Sequence, residues 1–86
     1  MRQAVRDALR EVERRIEVAT LCWIDVACLR IEFSRADVWR ELKRRQEKDR
    51  RYPRPTPLQF DAGLKQAIAE NVLERSGQIF KSKIKH

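Results

Sequence analysis

Glycine and proline are nearly missing from this chain: it has two of the first and three of the second. That excludes a loop-rich scaffold and favours long regular elements. There are only two cysteines, Cys22 and Cys28. Six residues apart on a helix, they point about 120° away from each other and cannot pair within the chain. Both fall in an apolar stretch and read as small core residues. The one histidine is the last residue, His86, so two cysteines and a terminal imidazole make no zinc site. No apolar run approaches membrane-spanning length, and the first fifteen residues are too charged for a secretory signal. The expectation is a reducing, cytoplasmic compartment. Enzyme signatures are lacking too: there is no glycine-rich phosphate loop, no internal histidine to act as a base and no nucleophile–base pair. No enzymatic activity, cofactor, metal, small-molecule substrate or membrane is expected.

What is present is charge. The 86 residues carry 20 Lys and Arg against 13 Asp and Glu, a net +7. Residues 1–42 hold eight basic and eight acidic side chains, whereas 43–86 hold twelve and five, so the whole excess lies in the second half. Such asymmetry points to a polyanion, usually nucleic acid. A basic surface kept for solubility is the alternative reading.

From Arg2 to Arg30 there is neither Gly nor Pro. Val5, Leu9, Val12, Ile16, Ala19, Trp23 and Val26 recur at a 4-3 spacing, one stripe along a helix. Opposite charges at helical spacing, such as Asp7/Arg10 and Glu11/Arg15, surround its first half. After Glu17 the pattern is apolar nearly all round, which predicts burial on all sides over 18–31. That length suffices for the central helix of a small core. Residues 1–17 are therefore predicted to be an arm, with Val5, Leu9, Val12 and Ile16 forming a homodimer interface and fold-back onto the same domain as the competing possibility.

Phe33-Ser34-Arg35-Ala36-Asp37-Val38 opens a second helix: Ser34 as cap, Asp37 at the reciprocal position, Phe33 packing on Val38. This helix is expected to bury Val38, Trp39 and Leu42, and to end in a loop from about Asp49. Thr56-Pro57-Leu58-Gln59 opens a third helix, with Pro57 at its first position. Its expected inner face is Phe60, Leu64, Ala67 and Ile68. Gly63 is a poor helix former there, and Asn71 suits a left-handed end. Val72–Arg75 and Gln78–Ile84 flank a Ser76-Gly77 turn and read as a β-hairpin.

In this order the elements resemble the winged helix-turn-helix superfamily over residues 18–84. The second-helix opening and the run Ala69-Glu70-Asn71-Val72-Leu73-Glu74-Arg75-Ser76-Gly77 carry the resemblance. The latter looks like the helix-to-wing junction of many bacterial and archaeal regulators. The fold implied is mainly α with a small β-hairpin: a winged helix (α-α-α-β-β) over 18–86, preceded by a helical extension over 1–17. In such proteins the third helix enters the major groove and the wing touches the backbone or minor groove. The link at 46–55 departs from the pattern by being long and basic. A long link also occurs in the winged helix of cullins, which works through protein contacts.

Two sets of residues are candidates for nucleic-acid contact. Lys43, Arg44, Arg45, Lys48, Arg50, Arg51 and Arg54 fall within twelve residues, with Glu47 and Asp49 as the only acids; phosphates attract such clusters whatever the base sequence. Tyr52 beside them can stack on a base or sugar. The hairpin adds Arg75, Lys81, Lys83 and Lys85, the lysines alternating on one face; lysines on an edge strand also guard against aggregation. On the outer face of the third helix, Gln59, Ala62, Lys65 and Gln66 are candidate base readers, glutamine being able to bond adenine at two points; an ordinary solvated face is the alternative. The function expected is a dimeric regulator binding duplex DNA. An RNA- or ribonucleoprotein-binding winged helix and a protein–protein adaptor are the alternatives.

Overall fold

In the computed structural model, residues 2–84 are described, with side chains from Arg6 onward. Lys85, His86 and the side chain of Val5 therefore lie outside the described residues. The elements run α1 (Arg2–Leu29), β1 (Glu32–Ser34), α2 (Arg35–Lys48), α3 (Pro57–Ala69), β2 (Leu73–Ser76) and β3 (Ile79–Ser82). The chain is thus mainly helical with one small antiparallel sheet, in the strand order β1-β3-β2.

Local chemistry sets most boundaries. Ser34 caps α2: its hydroxyl accepts from the Asp37 amide at 3.3 Å, and its own amide donates to the Asp37 carboxylate at 2.9 Å. That backbone hydrogen bond holds the Asp37 carboxyl below its ordinary range. Thr56 and Gln59 make the same reciprocal pair at α3, with Pro57 at the first helical position. At the far end of α3, Asn71 takes the left-handed conformation (φ 63°). The Asn71 and Val72 amides donate back to the Ile68 and Ala67 carbonyls, the double bond of a Schellman ending.

The core lies where α1, α3 and the sheet meet. Trp23 is fully buried at its centre, 4.8 Å from the Phe60 ring and 5.1 Å from the Phe80 ring. Its indole N–H donates to the Phe60 carbonyl at 3.1 Å, so no polar group is stranded. The Ser82 hydroxyl donates to the Ala27 carbonyl at 2.7 Å and ties β3 to α1.

Several expectations are corrected. The β structure is not the hairpin alone: a third strand, β1, precedes α2 and pairs Phe33 with Phe80 and Ser34 with Ile79. The hairpin turn falls on Gly77 and Gln78 rather than Ser76 and Gly77, since Ser76 pairs with Ile79; Gly77, at φ 64°, supplies the positive angle that a two-residue turn needs. The 18–31 stretch is not buried all round: Leu21, Cys28 and Leu29 of α1 and Ile31 just past its end are exposed, because α2, α3 and the sheet leave one side of the helix uncovered. Of the two cysteines, Cys22 alone is a core residue. Burial pushes its thiol up to about 11. On α3, Ile68 is exposed, and Gly63 is buried against α1. Trp39 is half-buried, and Gln46 joins the buried residues of α2.

The helix α1 runs unbroken past residue 17. Over the described side chains of its first half, all positions through Arg14 are exposed. Among the described residues, no helix is long and apolar enough to cross a membrane.

Candidate nucleic-acid interface

The 43–54 segment begins as the last turns of α2 and becomes the loop that leads into α3. Its basic side chains divide into two groups. Arg44 and Arg45 are engaged within the chain: Arg44 donates to Glu41 at 2.9 Å through Nε, and Arg45 donates to Asp25 at 2.7 Å and to Glu41 at 3.2 Å. The Arg44 hydrogen bond, joined by Arg45, draws the Glu41 carboxyl down to about 2 despite its partial burial. Burial works against the charge on Arg45, but hydrogen bonds to Tyr52, Asp25 and Glu41 outweigh it and raise its pKa. Arg45 therefore joins α2 to α1 and holds the loop. Tyr52 is half-buried and packs on the core, so it anchors the loop as well.

The second group is Lys43, Lys48, Arg50, Arg51 and Arg54. All five are exposed, and none forms an ion pair among the described residues. The loop has a fixed shape at its start, where the Arg51 amide donates to the Asp49 carboxylate at 2.9 Å and the Tyr52 amide to the Asp49 carbonyl at 3.1 Å. Lys43 lies over the Trp39 ring, 5.2 Å from its centroid. On the same helical face, Arg35 lies 5.0 Å from the Phe60 ring centroid and pairs with Asp61 at 3.0 Å. This bridge between α2 and α3 was missed in sequence, although Arg35, Trp39 and Lys43 recur at a spacing of four. Arg40 is a further exposed cation; among the described residues its ion pair is a long one, to Asp37 at 3.8 Å.

The wing is less basic than its lysines suggest. Lys81 sits in register between Glu32 of β1 and Glu74 of β2. Lys83 donates to the Asn71 side chain at 2.7 Å, and Arg75 folds onto the Gly77 carbonyl at 3.2 Å. All three remain exposed.

The four candidate base readers do not form one surface of one character. Gln59 is half-buried, and its carbonyl oxygen is occupied by the Thr56 amide. Ala62 is half-buried and Lys65 exposed. Gln66 is exposed but donates to Glu70 at 3.2 Å. It also lines a groove of about 400 Å³ between α1 and α3 whose rim carries Glu13, Glu17 and Glu70. The amino-terminal end of α3 thus adjoins the basic loop, with Leu58 83% exposed beside it, and its carboxyl-terminal end lies among carboxylates.

Of the four arm positions, Leu9 and Val12 are 57% and 42% exposed, Ile16 is half-buried, and the Val5 side chain is outside the described residues. Among the described residues no cluster of His, Cys, Asp or Glu has the arrangement of a metal site. Comparison with known proteins finds no matching family model, no matching curated protein and no matching solved structure.

Proposed function

We propose that this chain is a nucleic-acid-binding protein of winged-helix type, a regulator that holds duplex DNA chiefly by its phosphates. The observation that carries the reading is the set of exposed cations Lys43, Lys48, Arg50, Arg51 and Arg54, free of carboxylate partners among the described residues, on the last turns of α2 and the loop that leads from it into α3. In helix-turn-helix docking it is the start of the recognition helix that meets the bases. The element order supports the fold reading: a strand ahead of α2 returns to pair with the hairpin after α3. Base selection then falls to Lys65, Ala62 and the free amide N–H₂ of Gln59. Gln66, held by Glu70 beside an acidic rim, has no part in it.

Phosphate contacts carry no sequence information. Changing Arg50 and Arg51 together to alanine should weaken binding to all duplexes alike and flatten the salt dependence by roughly one unit of log–log slope per lost contact. Gel shifts at two salt concentrations, with structured RNA as competitor, measure both. Unchanged affinity and slope would sink the assignment, and preferential capture by the RNA would move it to RNA.

A further inference from the structure

The exposed stripe of the arm and the acidic groove beside α3 are one continuous surface. Glu13 flanks the stripe at Leu9 and Val12 and also forms the rim of the groove, and Ile16 belongs to both. From there the floor continues through Leu21 and Ile24, while Glu17 and Glu70 extend the rim. Nothing among the described residues covers this surface. Its occupant must be elongated, apolar on one side and basic on its flanks. The first ten residues of the chain have that composition, with Arg2, Arg6 and Arg10 against a single acid, Asp7, around the stripe that includes Leu9.

We propose that a second copy of this chain lies antiparallel along the arm, each copy's amino-terminal turns entering the other's groove. This inference goes beyond nucleic-acid binding and does not depend on it. The heptad pattern fixes the register. With Leu9 of each copy against Val12 of the other, the flanking positions place Arg6 of one copy opposite Glu13 of its partner, twice per dimer. A parallel in-register pairing would set Ala8 against Glu13 and gain no charge pair. Within one chain Arg6 and Glu13 are two helical turns apart, about 10 Å, and among the described residues neither makes an ion pair. The stripe alone is short for a stable interface. The groove extends the apolar stripe through Ile16, Leu21 and Ile24, and Glu13 at its rim meets Arg6 of the entering helix.

The test is sedimentation equilibrium at concentrations on the order of tens of micromolar. The wild type should be a dimer. Leu9→Asp should weaken it about a hundredfold or more, since two buried side chains are lost per dimer. Arg6→Glu and Glu13→Arg should each weaken it about tenfold, by setting like charges together at two places. An equimolar mixture of these two variants should recover the wild-type affinity, because the heterodimer has opposite charges at both places. Both substitutions are on exposed, unpaired positions, and helix content by circular dichroism checks that the arm stays folded. A monomeric wild type, single reversals without effect, or a mixture that stays dissociated would each overturn the proposal. Duplex binding by a monomer would overturn this inference alone; a wild-type dimer that ignores duplexes would overturn the nucleic-acid reading alone.

Discussion

At position 63 two opposing effects can be weighed directly. Alanine is the better helix former by about 1 kcal/mol. Its Cβ would stand 2.7 Å from the Thr20 amide nitrogen and 2.8 Å from the Ala19 Cβ. The first of these is backbone of a neighbouring helix and cannot swing aside, so α1 and α3 must separate. Overpacking of this kind costs about 1–3 kcal/mol, and here it parts the two helices that form most of the core. Sterics should win. Gly63→Ala is expected to lower the melting temperature by several degrees, at about 4–8 °C per kcal/mol for a domain this small. An unchanged or raised melting temperature would show that the helices part freely. The sequence marks Gly63 only as a weak point in a helix. Its partner lies more than forty residues away, and no local pattern reveals it. The exposure of Cys28 was hidden for the same reason, since an apolar run does not tell which of its sides a sheet will cover.

Among the elements, the helix starts were legible and the sheet was only half so. Ser34 with Asp37 and Thr56 with Gln59 are contacts over three residues, and their chemistry is complete within the motif. The strand β1 has three residues and exists only because Phe80 and its neighbours return beside it. The turn was placed one residue early because pairing with β3, not the turn residues alone, sets its register. The link between α1 and α2 rests on Glu41, Arg45 and Asp25, whose meeting was equally unreadable. It makes a prediction about acid. The folded-state pKa of Glu41 is about 2, below its ordinary 4.5. Its contribution is therefore complete above about pH 4.5 and disappears as the pH falls towards 2. Urea unfolding at pH 6 and pH 3 should show a loss that Glu41→Gln reduces. An identical loss in the variant would assign the acid sensitivity to other carboxylates.

For the molecule as a whole, the basic second half was visible in a simple count, and the segment at 43–54, the end of α2 with the loop after it, delivers five free cations from it. The count could not show that Arg44, Arg45 and Lys81 sit beside carboxylates. Nor could the turn-by-turn reading of α3 show that Gln66 faces Glu13 and Glu17 of α1, because a helical wheel contains no neighbours. The unbroken course of α1 has a mechanical consequence. Arm and core share one axis with no joint, about 42 Å long for its 28 residues, so the direction in which the stripe faces is geared to the core. Deleting one residue from the exposed arm between Val12 and Ile16 turns everything before it by about 100°. Leu9 then points away from the groove, and self-association should be lost although no stripe residue has been changed. Inserting seven residues there restores the angle but displaces the arm by about 10 Å from the groove, so association should return only in part. Measuring mass for both variants reads the helix as a drive shaft; equal behaviour of the two would mean that the arm turns independently of the core.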